Sequence, residues 1–425
     1  MAKNDVYFMD KEKRAHLGSR DFAVNAKNAK LHAQFHLYSG VGTRSRGFKG
    51  WELGRIAARP TVIYDLSGLP LFYDFPVRRG RGYVGFIRTA ANKVLGDPVV
   101  STQVTPLGWN MNAAQNELRK LMRKKYSKYT TKSIKLVCYS YPKLALSAEL
   151  VSRSKETKTL LMDVGDFTEI PPEPGTPRER LGQVPYSLLN DLPEEWEKSG
   201  PKVWKKVNQE TEDLFRKEKK LDPTHMYDLA SKERLEVIDQ VLLEYELIKL
   251  YTERVLDFCC HTGDCKDHEC FCLHPQENNV HCARASAQMM LCYWRYCYSQ
   301  HEIAQAFGAP DNQGTSPNAI VPGLESLTNN CFDATRHNTA GWTTCENEIK
   351  ERRPFMSCIP GHARACAGTR KWNIWIINQP QPRYLYIFDP WPPNTGAIYW
   401  ENFNTTNYST SYGMYTLERR TTNHA

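Results

Sequence analysis

The alternation of apolar and polar positions divides the chain into three differently patterned stretches. In the first, "PTVIYDLSGLPLFYDFPV" alternates with a period of two on both sides of a Ser-Gly pair, which predicts strand, turn and strand. "RGYVGFIRTA" and "DPVVSTQV" continue as short strands, and "SIKLVCYSYPKLALSAEL" and "TKTLLMDVG" return to the same period. Between them "NMNAAQNELRKLMRKKY" has helical spacing with an Asn available as cap, and "DFAVNAKNAKLHAQFHLYSG" is helix-compatible. The prediction is an α+β module over residues 1–170, with helix packed on antiparallel sheet.

"TEIPPEPGTPRERLGQVP" interrupts the pattern, with four prolines in ten residues. The text then becomes helical and charged, and "RLEVIDQVLLEYELIKLYTERVLDF" places apolar residues three and four apart. Residues 171–258 are therefore expected to be a linker followed by a helical connector. The last stretch, 259–425, turns rich in Cys, Asn, Trp and Tyr.

Composition narrows the class. A chain of 425 residues exceeds one ordinary domain. No run of eighteen apolar residues occurs, so no membrane span is expected. The opening "MAKNDVYFMDKEKRAHLGSR" lacks the apolar core of a secretory signal; either the protein is made without one or the signal is absent from this chain. Charge is uneven: residues 1–170 hold 29 Lys and Arg against 14 Asp and Glu, while the remainder holds 27 against 33. The basic run "RKLMRKKYSKYTTKSIK" reads first as the solvated face of a helix entering a strand, and only second as a nucleic-acid patch.

Twelve of the thirteen cysteines lie between 259 and 366, and the odd total leaves at least one thiol unpaired. "FCCHTGDCKDHECFCLHP" crowds Cys259, Cys260, Cys265, Cys270 and Cys272 with His261, His268 and His274. Such ligands suit a structural zinc, though no paired Cys-x-x-Cys knuckle is present. Disulfides to Cys292, Cys297, Cys331, Cys345, Cys358 or Cys366 are the competing reading, and free thiols the third. Bridges imply a secreted or cell-surface protein, whereas zinc tolerates the cytoplasm. The sequons at 404–406 and 407–409 are too common by chance to decide.

Candidate chemistry sits in the last stretch. "CARASAQMMLCYWRY" has small and apolar residues on several faces, as a buried helix would, with Cys282 in its first turn. A helix N-terminus favours the thiolate. His362, in "RRPFMSCIPGHARACAG", follows a Pro-Gly turn between two predicted strands and is the candidate base. Asp389, ending the strand of "RYLYIFDPWPP", can orient an imidazole, and the Gln276 amide can reach an oxyanion near Cys282. Taken singly, each has a plainer reading: core thiol, turn histidine, strand terminator, loop amide.

The order Gln, Cys, His, Asp resembles the papain-like cysteine peptidases. "HCARASAQMMLCYWRYCYSQHEIAQAFG", "PGHARA" and "IFDPWPPNTG" resemble most closely the bacteriocin-processing (double-glycine) peptidase branch, over about 150 residues. The resemblance implies a two-lobed papain-like domain with Cys282 as nucleophile, His362 as base and then acid, and Asp389 as orienter. Gln276, with the Cys282 backbone N–H, would form the oxyanion hole. His281 departs from the Trp or Gly expected before the nucleophile and places a second imidazole beside the thiol.

"FKGWELGRIAARPTVIYDLSGLPLFYDFPV" and "GYVGFIRTAANKVLG" are similar to propeptide-like domains preceding some secreted cysteine peptidases. The expectation is a zymogen that hydrolyses peptide or isopeptide bonds through a Cys282 thioester and needs no cofactor. Its partners would be a polypeptide substrate and its own pro-domain, not nucleic acid. Acyl transfer at the same site, or a non-catalytic protein with a papain-like core, are the alternatives.

Overall fold

The computed structural model describes residues 9–171, 185–245, 251–257, 271–372, 382–408 and 413–420. It is a mixed α/β structure built on one large sheet. The first half contributes β1 (Arg55–Ile56), β2 (Thr61–Asp65), β3 (Pro70–Arg79), β4 (Gly82–Ala90), β5 (Val99–Gln103), β6 (Tyr129–Ser140), β7 (Lys143–Ser152), β8 (Thr157–Asp163) and β9 (Glu169–Ile170). The remainder adds β10 (Tyr251–Val255), β11 (Phe332–His337), β12 (Phe355–Ile359), β13 (His362–Trp372), β14 (Arg383–Asp389), β15 (Ala397–Asn402) and β16 (Met414–Arg419).

The strands run β11-β16-β12-β13-β14-β15-β5-β4-β3-β2-β6-β7-β8-β9, with β1 on β3 and β10 on β13. Every described pairing is antiparallel except β2 with β6. The predicted hairpin appears as β2 and β3, and "NMNAAQNELRKLMRKKY" becomes the helix Met111–Lys125. The Asn110 side chain caps that helix by accepting from the N–H groups of Asn112 and Ala113.

The front module and the last third share one sheet. Strand β15 pairs with β5 in the register Tyr399↔Gln103, Trp400↔Thr102 and Glu401↔Ser101. One apolar core runs through the junction, taking in Phe72 and Phe75 from the module, Trp204 from the connector, and Phe388 and Trp400 from the last third. A module leaving after cleavage would bare this core and an unpaired edge at β15. Gly85, on β4, is where the module closes most tightly: a Cβ there would lie 2.2 Å from the Trp51 ring and 2.3 Å from the Gln103 carbonyl oxygen. Gly85→Ala is expected to destabilise the chain by about 1–3 kcal/mol, read as a lower denaturation midpoint.

The connector differs from its predicted form. Helices Glu194–Lys217 and Ser231–Glu244 pack against the helix Ala26–Gly42 of the front module. The helical spacing does not continue to Phe258, however, because Tyr251–Val255 is strand β10, added to the edge of β13. Tyr251, Thr252 and Val255 favour that conformation, and Gly368 admits the close approach. A Cβ at Gly368 would sit 2.9 Å from the Arg254 carbonyl oxygen. The basic front half finds its acids here, in Arg44–Asp239 at 2.7 Å and Lys13–Glu197 at 3.0 Å.

A smaller apolar cluster sets the helical side of the last third. The helix Cys282–Tyr293 buries Ala287, Met290 and Leu291 against Ile303, Phe307, Ile320 and Leu324 of the next two helices. It also rests on β12 and β13. Strand β14 is buried along nearly its whole length, so it shows no alternation. Helix on one side and sheet on the other bound a cleft at the N-terminal end of that helix.

Candidate active site

Cys282 is the first residue of its helix, at the end where the unpaired backbone N–H groups concentrate positive potential. Across from it, His362 opens β13 after a turn in which Gly361 takes φ +69°, a conformation that disfavours a side chain. Asp389 closes β14. The His362 Nε2–H donates to Asp389 Oδ1 at 2.7 Å, with both side chains buried. Asp389 is held in turn: Oδ1 accepts from the Trp391 N–H at 2.9 Å, and Oδ2 accepts from the Tyr399 hydroxyl at 2.8 Å. The carboxylate therefore fixes the ring so that Nδ1 is turned away from it. Nδ1 has no aligned hydrogen-bond partner, and the Cys282 thiol is near enough to shift the ring's protonation.

The charges reinforce one another. Burial works to raise the Cys282 thiol, but the interaction with His362 and the positive charges of His362 and Lys143 outweigh it, bringing it down to about 7. Burial likewise opposes charge on His362, yet the Asp389 carboxylate and the Cys282 sulfur raise it above the ordinary histidine range. Asp389 resists the upward push of burial because His362 and Arg364 are positive, and it stays below the usual carboxylate range. A thiolate–imidazolium pair is the state these shifts favour. Thiol reactivity should rise with pH through about 7, as the Cys282 sulfur ionises. It should not wait for the ordinary thiol range, and alkylation rates across pH 5–10 check this. Loss of the His362 proton at higher pH then ends the thiolate–imidazolium pair.

Beneath the triad lies a second buried ion pair. Arg364 Nη1 donates to Glu401 Oε1 at 2.7 Å, and both side chains are fully buried. The Tyr141 hydroxyl donates to the same oxygen at 3.0 Å, and the Tyr408 hydroxyl donates to Glu401 Oε2. Tyr399 touches both layers: it holds Asp389 and lies 3.5 Å from Arg364 Nη1.

Gln276 is attached to this site through its backbone. Its N–H donates to the Pro390 carbonyl at 3.0 Å, and its carbonyl accepts from the Asn394 N–H at 2.9 Å. Its side-chain nitrogen donates to the Asn278 carbonyl, which leaves one of the two amide hydrogens for another acceptor. The structure thus brings Cys282, His362 and Asp389 together and ties Gln276, fully buried, to the segment that follows Asp389.

His281 serves the wall of the cleft. Its Nε2 lies 2.6 Å from Arg284 Nη1, 2.8 Å from Asn278 Nδ2 and 2.9 Å from the Asp311 carbonyl oxygen. Burial is the largest influence on it and pulls its pKa below the ordinary histidine value. Arg284, fully buried in the first turn of the helix, donates to the carbonyls of Pro310 at 2.6 Å and Gln313 at 2.8 Å. That clamp presents Gly314 and Thr315 to a cleft of about 440 Å³, open to solvent, whose walls include Cys282, Ile320, Ile359 and His362.

The six proposed bridge partners Cys292, Cys297, Cys331, Cys345, Cys358 and Cys366 are free thiols, as is Cys138. Cys297 and Cys331 are exposed, while the buried ones pack locally: Cys345 lies against the Met414 sulfur at 3.9 Å, and Cys366 against the Gly368 carbonyl at 3.3 Å. Cys259, Cys260, Cys265 and Cys270, with His261 and His268, lie outside the described residues. Among the described residues no group of three His, Cys, Asp or Glu is arranged to hold a metal. No described helix is long and apolar enough to cross a membrane.

Local pattern did not point to Lys143, Tyr399, Arg364 or Glu401. Trp391, inside "IFDPWPP", was visible as text, but its N–H bond to Asp389 was not. No protein-family model matches the chain, and no curated protein matches it.

Proposed function

We propose that the chain is a papain-like cysteine hydrolase acting on peptide or isopeptide bonds. The observation that supports this reading best is a lowered thiol at a helix N-terminus, facing an imidazole whose far nitrogen is fixed by a buried carboxylate. In the first step the Cys282 thiolate attacks the carbonyl carbon, and the new oxyanion is met by the Cys282 backbone N–H and the free hydrogen of the Gln276 amide. The imidazolium of His362 passes its proton to the leaving nitrogen as the carbon–nitrogen bond breaks, leaving a thioester. Water then attacks the thioester while neutral His362 takes its proton, and the sulfur leaves as the thiolate, restoring the thiolate–imidazolium pair. Asp389 stays ionised throughout and keeps the ring aligned.

Acyl-enzyme trapping tests the reading. A p-nitrophenyl ester of a blocked peptide, rapidly quenched in acid, should add one acyl group, and peptide mapping should place it on Cys282. Adding a primary amine separates hydrolysis from transfer: under this proposal the free acid remains the main product.

A further inference from the structure

The site contains a residue that the last third of the chain does not supply. Strands β6 and β7 are joined by Tyr141 and Pro142, and Lys143 is the first residue of β7. This hairpin tip is fastened to the catalytic side at several points. The Tyr141 hydroxyl donates to Glu401, and a Cβ at Gly361 would lie only 3.7 Å from Ser140 Oγ. Lys143 Nζ lies 4.4 Å from the centre of the Trp391 ring, two residues after Asp389. A solvent-open pocket beside Asp389 has walls from both halves, with Arg88, Trp109 and Tyr141 from one and Trp391 and Tyr399 from the other.

Lys143 is only 1% exposed, an expensive place for an ammonium group. The charged groups that act on it most are potential anions: Cys282 on the helix, Asp163 at the end of β8, Asp389 on β14, and Asp166 in the turn after β8. His362 and Lys143 are the positive groups that act most on the Cys282 sulfur, and Cys282 shares the walls of its cleft with His362 and Cys358. Asp163 is occupied on its own side, accepting from the Tyr139 hydroxyl at 2.7 Å and from the Gly165 N–H at 2.6 Å.

We infer that Lys143 is a positioning residue of the active site, supplied by the front module, whose buried ammonium joins His362 in holding the Cys282 sulfur as the attacking anion. The inference rests on the cysteine-hydrolase reading and changes the role of the module. What resembles a removable inhibitor becomes a resident part of the catalytic unit, tied in through the β5–β15 pairing. Burial draws the Lys143 pKa down while the Cys282 thiolate and the three carboxylates draw it up, so its charge depends on theirs.

The test is the pH dependence of Cys282 alkylation by iodoacetamide in the full chain, followed by peptide mapping. Removing an opposite charge next to an ionising group moves it by about one pH unit or more. Lys143→Met should therefore slow labelling about tenfold at pH 6 and shift the midpoint upward. Lys143→Arg should restore the midpoint, which a merely structural role would not require. Lys143→Gln, keeping length and polarity, serves if the Met variant fails to fold. An unshifted midpoint in a folded neutral variant overturns the role of Lys143 and leaves the cysteine reading intact. A wild-type Cys282 that titrates as an ordinary thiol overturns both.

Discussion

Replacing Cys282 by alanine is expected to abolish hydrolysis, with a loss of at least about a thousandfold in kcat/KM. The variant should keep its fold. Cys282 is only half-buried, at the first position of a helix whose packing comes from Ala287, Met290 and Leu291 on later turns. Removing one sulfur at the cleft therefore takes away reactivity without removing a core contact of comparable weight. Far-UV circular dichroism and the thermal midpoint should match the parent, while iodoacetamide labelling at low reagent dose should disappear. Residual turnover near the parent rate would show that another group does the chemistry.

The largest expected effect on stability comes from Glu401→Ala. Arg364 and Glu401 are both fully buried, and the Tyr141 and Tyr408 hydroxyls end on the same carboxylate. Truncating Glu401 strands a guanidinium without its counter-charge and leaves two phenols without their acceptor. Breaking a buried pair in this way costs about 3–5 kcal/mol, where replacing both partners by apolar groups would cost far less. Urea denaturation of Glu401→Ala should show a markedly lower midpoint. Arg364→Met combined with Glu401→Leu should recover much of the loss. Activity should fall alongside stability, because Tyr399 spans Asp389 and Arg364 and would lose its fixed position.

The candidate trio was legible because each member carries a local signature. Cys282 heads an apolar helix, His362 follows Pro-Gly, and Asp389 stands before Pro390 at a strand end. Each signature is a short-range event of capping, turning or strand termination, and all three became real elements. Lys143 had no such signature. It reads as an ordinary residue after a proline, and its place is decided by pairings separated by hundreds of residues, β5 with β15 above all. The same limit hid the Arg364–Glu401 pair, whose members sit on different strands and meet only through sheet register. The division into module, connector and last domain followed real changes of composition. It missed that Tyr251–Val255 would leave the connector to pair with β13, because helical spacing in "LIKLYTERV" competes with a strand edge that a single sequence does not display. Cysteine counting pointed toward bridges: the six thiols named as partners are free, while Cys272 of the cluster before the helix is disulfide-bonded.

The coupling between Cys282 and His362 carries the whole account, and competitive alkylation measures it directly. Limiting iodoacetamide at pH 7, with peptide mapping, should label Cys282 ahead of every other free thiol in the parent chain. In His362→Ala that preference should vanish, because the positive charge that outweighs burial is gone. Labelling of exposed Cys297 or Cys331 before Cys282 in the parent, or unchanged Cys282 labelling without His362, would contradict it.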